Sequence, residues 1–382
     1  MEQYINSLEL QYLILFSVLL LLPKILLRFN IPVGISSLFL GVITALTIGW
    51  FKDDQMILML SRLGITSLFL FAGMEIEVEE LRRDAPALSK SIAKAVVVTI
   101  VSAIFFSWSM GLHFRPAIIL ALAILTPSTG FILNSLRNYG FTEDQQYWIR
   151  SKAIAKEIAA IVMLFVALQS ESLEQFIFSK GILIFLVLFL PFLFKFFFKV
   201  IAPYAPDSEV GFLILVALIC GVITKNIGTY YLVGAFIVGV IAGQFKHFNN
   251  SHKADDILEH LRMFFSFFIP FYFYSTGLTI TSDLFSIKGL ALGLGLLIVF
   301  IPIRILTVFS SIKFFIKDNW QDRYPIATAL LPNLIFGLVL ASILRERFQI
   351  DVYIISGLIV YTILSSIIPA IVFKKTPPES FV

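Results

Sequence analysis

The chain has 382 residues, of which 58% are hydrophobic and only 14% charged, with a mean hydropathy of +0.92 and a formal net charge of +4. Soluble domains carry roughly 25% charged and about 45–50% apolar residues. The composition therefore excludes a soluble enzyme, a nucleic-acid reader and a disordered chain, and it indicates an all-α polytopic protein embedded in a lipid bilayer. A single cysteine, Cys220, excludes an internal disulfide and a cysteine-built metal cluster. His113, His247, His252 and His260 share no ligand spacing. No cofactor and no resident metal is expected.

About 20 apolar residues cross the hydrocarbon core. On that measure thirteen transmembrane helices are expected, at roughly 8–28, 31–50, 55–74, 88–112, 116–136, 148–169, 173–200, 208–225, 229–245, 257–281, 288–315, 321–345 and 350–373. Met1–Glu9 has no basic stretch, so no cleavable signal peptide is expected. Loops are short, and Asn249–His260 reads as the one polar, amphipathic linker. About nine polar residues follow the last span, so the chain reads as one membrane domain without a soluble C-terminal domain. If the N-terminus lies outside, the inner flanks hold 18 lysines and arginines and the outer flanks 7. Basic residues stay on the cytoplasmic side. The expected arrangement is an outside N-terminus, a cytoplasmic C-terminus and a multi-pass position, with a bacterial inner membrane as the setting.

Two segment pairs repeat at matching distances. LFLFAGMEIEVEEL (68–81) aligns with FYFYSTGLTITSDL (271–284), placing Gly73 on Gly277, Phe69 on Phe273 and Ile76 on Ile280, an offset of 204. AILTPSTGF around Pro127 aligns with ALLPNLIFG around Pro332, an offset of 205. A weaker echo joins FLGVI (39–43) to IVGVI (237–241). Chance likeness between apolar segments is the competing explanation, and two near-equal offsets weigh against it. Seven spans, an odd number, separate the copies. They would then face opposite ways, as in the inverted-topology repeats of secondary transporters. Repeat one covers about 31–169 and repeat two about 229–373.

Pro127 and Pro332 fall near the middle of their spans. A proline there removes one backbone hydrogen bond and clashes with the carbonyl four residues back, here Ala123 and Thr328. In lipid the freed groups need partners. Thr126, Ser128 and Thr129 beside the first proline, and Asn333 after the second, can supply them or bind an ion. An ordinary kink explains either proline alone. Two at equivalent repeat positions point to paired, crossing, unwound helices.

Three charges lie deep in spans: Lys156, Glu157 and Arg304. Each costs on the order of 3 kcal/mol or more at a helix centre, and all share the depth of the two prolines. Glu157 is the deep carboxylate. It can hold a proton or a hard cation but not both, and that competition is a mechanism for exchange. The alternative is an ion pair with Arg304 or Lys156 that only fastens helices. Neighbours on a helix point about 100° apart, so Lys156 and Glu157 cannot both face one site squarely. Arg304 would balance Glu157 or cap the carbonyl ends of the broken helices. Arg62 and Lys94, nearer span ends, are expected to snorkel. Glu75, Glu77, Glu79 and Glu80 read as a solvated face.

With these residues placed, the sequence resembles the monovalent cation:proton antiporter-2 family, the Kef-type membrane domain, over nearly its whole length. LPKILLRFNIPVGISSLFLGVITA, LFLFAGMEIEVEEL, IPFYFYSTGLTI and GAFIVGVIAG are similar to family segments, and KEIAAI (156–161) is similar to the QDIAAI-type signature. The resemblance implies that Glu157 takes the place of the aspartate that binds cation and proton in turn. Thr126, Pro127, Ser128 and Thr129, with Pro332 and Asn333, take the places of the crossing unwound helices, and Lys156 and Arg304 are left as charge-balancing groups. It also implies a homodimer and an elevator motion of a six-helix core against a scaffold. The sequence departs from the family in having Glu for Asp at 157 and Lys at 156. The expected activity is sodium or potassium exchange for protons, electroneutral because one carboxylate swaps one charge for one. Two alternatives stay open: an organic-anion carrier of the same fold, and a non-transporting sensor locked by a Lys156–Glu157 pair. A membrane enzyme is not expected, since no deep His, Cys or paired Asp supplies the chemistry.

Overall fold

The computed structural model describes residues 7–29, 31–74, 76, 85–136, 139–169, 173–205, 208–227, 231–244, 260–261, 263–264, 266–280, 282–284, 286–315 and 322–373. Among them there is helix and no strand. The helices are α1 Leu8–Leu26, α2 Val33–Thr47, α3 Gln55–Met74, α4 Ala85–Met110, α5 Phe114–Leu125, α6 Thr129–Leu136, α7 Glu143–Gln169, α8 Leu173–Phe196, α9 Glu209–Asn226, α10 Tyr231–Gln244, α11 Ile269–Leu278, α12 Ile287–Phe315, α13 Arg323–Ala329, α14 Leu334–Phe348 and α15 Val352–Val372. The linker read at 249–260 falls, but for its last residue, outside the described residues, as do Glu75, Glu77, Glu79 and Glu80.

Among the described residues nine helical stretches are long and apolar enough to cross a membrane, counting α5–α6 and α13–α14 as one stretch each, and α2 and the later part of α10 are shorter apolar helices. By composition α7 falls short of that class because it carries Arg150, Lys152, Lys156 and Glu157. Its start is fixed by a reciprocal cap: the Gln145 N–H donates to Thr142 Oγ1 at 3.2 Å and the Thr142 N–H to Gln145 Oε1 at 3.1 Å.

The chain packs as two compact units, residues 1–67 with 262–283 and residues 68–261 with 284–382. In the first, α2 and α11 cross at closest range through two glycines. A Cβ on Gly41 would strike the Tyr274 carbonyl, and one on Gly277 the Leu38 carbonyl. Tyr274 and Phe271 of α11 also bury against Leu15, Leu19 and Ile57. In the second unit the end of α3 crosses α10 the same way. A Cβ on Gly73 would meet the Phe236 carbonyl, and one on Gly239 the Leu70 carbonyl. The glycines aligned in the sequence, Gly73 with Gly277 and Gly41 with Gly239, are therefore the contact points of two like crossings.

The second unit also holds the interrupted helices. Ile132 and Leu136 of α6, Ile149 and Ala153 of α7, Val308 and Ile312 of α12, and Ile326 and Leu330 at α13 form one buried cluster. Helix α12 lies against α15 through small residues, where a Cβ on Gly293 would meet Val360 and one on Gly357 would meet Leu292. This packing brings α7, α12 and α15 around the two helix breaks.

Candidate ion-binding site

The backbone leaves the helix at both expected prolines. Helix α5 ends at Leu125, Thr126 turns extended at φ −83° and ψ 124°, and α6 begins at Thr129, as expected of a residue held before proline. Helix α13 ends at Ala329 and α14 begins at Leu334. By contrast Pro23, Pro191, Pro302 and Pro369 sit inside helices that continue past them.

The two breaks complete each other. Ala123 O, the carbonyl that Pro127 leaves without a donor, accepts from Asn333 Nδ2 at 2.6 Å. Ile124 O accepts from the Tyr361 hydroxyl at 3.1 Å. In return the Ser128 N–H donates to Pro332 O at 2.9 Å, and Ser128 Oγ accepts the Phe336 N–H of the first turn of α14 at 3.0 Å. Asn333 is fixed by α15: its N–H donates to Ser366 Oγ at 3.2 Å and its Oδ1 accepts from Ser365 Oγ at 2.6 Å. The Thr328 carbonyl is taken by the Leu331 N–H at 3.1 Å. These orphan groups of the helix ends thus find partners at the breaks.

Arg304 belongs to this scaffold. Its Nη2 donates to Leu330 O, just past the end of α13, at 2.8 Å, and its Nη1 to the Tyr361 hydroxyl at 3.2 Å. Among the described residues it makes no ion pair with Glu157. Of the two expected roles, capping the carbonyl end of the broken helix is the one with direct contacts.

Glu157 is 3% exposed. Its Oε2 accepts the Thr129 N–H, the first amide of α6, at 2.9 Å. The Thr129 hydroxyl lies beside the carboxylate but outside hydrogen-bonding geometry, buried and without a partner. A helix N-terminus favours a negative group, by up to about 2 kcal/mol when partly buried. Burying an ion costs several kcal/mol, so the carboxylate calls for a proton or a cation as company. Lys156 turns elsewhere. It lines a cavity with Thr126 and Arg304 and makes no pair with Glu157 among the described residues. Lys94, expected to snorkel, donates to Ser310 Oγ of α12 at 3.2 Å.

Of the residues expected to hold an ion, Glu157 and Thr129 meet directly, Ser128 and Asn333 tie the breaks together, and Thr126 faces the cavity. Tyr361, Ser365 and Ser366 were not singled out in the sequence. Their spacing along VYTILSS, with Tyr361 and Ser365 four apart on one helix face, is the signal that would have found them. Among the described residues no cluster of His, Cys, Asp and Glu could hold a resident metal.

The sodium/hydrogen exchanger transmembrane family model matches residues 13–375. The chain belongs to this exchanger family. Within the exchanger family it is 24% identical over 375 residues to a probable Na(+)/H(+) antiporter of Methanocaldococcus jannaschii, covering 95% of each chain. It is 22% identical over 366 residues to an Na(+)/H(+) antiporter of Enterococcus hirae, covering 91% of this chain and 92% of the relative. The exchanger fold is shared with the sodium proton antiporter MjNhaP1 of M. jannaschii, at a TM-score of 0.69 and 16% identity over 94% of each chain.

Proposed function

We propose that the chain exchanges a monovalent cation, sodium or potassium, for protons across a membrane by alternating access, with Glu157 binding cation and proton in turn. The observation that carries this is the position of Glu157: a buried carboxylate at the N-terminus of a broken helix, with no cationic side chain in ion-pair contact among the described residues. A proton or a dehydrated cation can occupy such a site, and the two compete. The relatives named for sodium/proton antiport support the cargo. The alternative of a sensor locked by a Lys156–Glu157 pair loses its support, because that pair is not formed.

The finer readings belong to the same proposal. KEIAAI at 156–161 supports a Kef-type affinity within the exchangers. The paired glycine crossings support inverted repeats, and the basic-residue distribution supports thirteen spans with an outside N-terminus in a bacterial inner membrane. A homodimer and an elevator motion rest on the family resemblance. One carboxylate implies electroneutral exchange.

The test uses proteoliposomes with an imposed pH gradient and a trapped pH dye. Sodium, potassium and lithium are added in turn to wild type and to Glu157→Gln. Collapse of the gradient by one cation in wild type and not in the variant is expected. No response to any of them, with folded protein, would overturn the proposal.

A further inference from the structure

Lys156 and Glu157 are neighbours on α7, yet they serve different surroundings. Lys156 lines a small cavity with Arg304, Thr126, Thr99, Thr307 and Met163. About 30 Å³ of it is open to the centre of a water molecule, room for one or two water-sized occupants.

The charge in this cavity is of one sign. Lys156 lies within electrostatic reach of Arg304 and of Lys152, and buried Lys152 lies within reach of Lys94. No hydrogen-bond acceptor and no carboxylate engages Lys152 or Lys156 among the described residues. The carboxylate next in sequence, Glu157, accepts instead from the Thr129 N–H. Arg304 uses two of its N–H groups on Leu330 O and Tyr361 and keeps others free. Thr99 and Thr307 close their hydroxyls onto Ala95 O and Ile303 O, at 2.8 and 2.7 Å. The Thr126 hydroxyl has no partner among the described residues. The cavity is therefore lined by a lysine, an arginine and a threonine, all side chains able to donate. Like charges gathered away from water are mutually unfavourable, and a small anion relieves them.

We infer that this cavity is a binding site for a small monovalent inorganic anion of chloride size, held by Lys156, Arg304 and Thr126. The occupant neutralises the cation adjacent to Glu157. That consequence rests on the proposed exchange, whereas the binding itself does not.

Purified full-length chain in detergent is melted at fixed sodium and fixed ionic strength while chloride is replaced stepwise by gluconate, which is too large for the cavity. Chloride and bromide are expected to raise the melting temperature saturably. Lys156→Gln is expected to raise the half-saturating chloride concentration about tenfold or more, and Glu157→Gln, which ends exchange, is expected to keep the response. Thr126→Val, which leaves both charges in place, should weaken chloride several-fold and serves if the lysine variant does not fold. The inference is overturned if chloride and gluconate give the same melting temperature, or if the rise follows ionic strength rather than chloride. An unchanged chloride response in folded Lys156→Gln and Thr126→Val overturns it equally. Loss of exchange in Glu157→Gln with an intact chloride response separates this site from the exchange site.

Discussion

Tyr361 shows how one hydroxyl can hold two broken ends at once. It accepts from Arg304 and donates to Ile124 O, so it joins a cap on α13 to a cap on α5. Tyr361→Phe keeps the ring and removes both bonds. A buried polar group left alone costs about 1–3 kcal/mol, so a lowered midpoint in a thermal melt is expected, with exchange retained in proteoliposomes because Glu157 is untouched. Melting at the wild-type midpoint would mean that the relay carries no stability. Glu157 and Arg304 were legible in the sequence because a charge inside an apolar span is conspicuous. Tyr361, Ser365 and Ser366 were not, since hydroxyls cost little in helices and can bond to their own turn. The side to which Lys156 points was foreseen only as a direction away from Glu157, because helix geometry fixes the angle between neighbours but not what each one meets.

At the scale of elements, the prolines are instructive. Pro23, Pro191, Pro302 and Pro369 sit inside helices that continue, whereas at Pro127 and Pro332 the described backbone leaves the helix. What separates them is the polar company in sequence, Thr126, Ser128 and Thr129 on one side and Asn333 on the other, which bonds across the two breaks. The repeat alignment found both sites for that reason. The glycines separate in the same way. At Gly41, Gly73, Gly239 and Gly277 an added Cβ meets backbone, whereas at Gly181 it meets nothing within 4 Å. Gly73→Val is expected to cost more than the roughly 1–3 kcal/mol of ordinary overpacking, because backbone cannot step aside. It should appear as a collapse of monodisperse protein on size exclusion. Gly181→Ala, inside α8, should be neutral or stabilising by about 0.5–1 kcal/mol. Equal yields for the two would refute the close-crossing argument. The division into two units falls within α3, after Ser67. No sequence signal marks it, because one unbroken apolar helix serves both units.

For the whole molecule, the proposed competition of proton and cation at Glu157 predicts the pH behaviour. Protons occupy Glu157 as pH falls, so the half-saturating cation concentration should rise, approaching tenfold per pH unit once the protonated form dominates. At high pH the cation site saturates, but the return of a proton becomes scarce and turnover should decline. Initial rates across a matrix of pH and cation concentration would show this, and a half-saturating concentration that does not move with pH would exclude shared occupancy. One-for-one exchange also predicts indifference to voltage. A net charge moved across the membrane is worth about 2.3 kcal/mol per 100 mV, so equal rates at clamped positive and negative potentials are expected.

The mutual capping of the two breaks has a consequence for synthesis. Asn333 lies 210 residues beyond the carbonyl it satisfies. At about 5–20 residues per second the first half waits roughly 10–40 s in the membrane before its partner emerges. During that interval Ala123 and Ile124 must borrow donors from water, lipid headgroups or the insertion machinery. A first half expressed alone should be degraded, and co-expression of the second half should rescue it, which pulse-chase labelling would show. Quality control of this chain then has a natural checkpoint at the birth of α14.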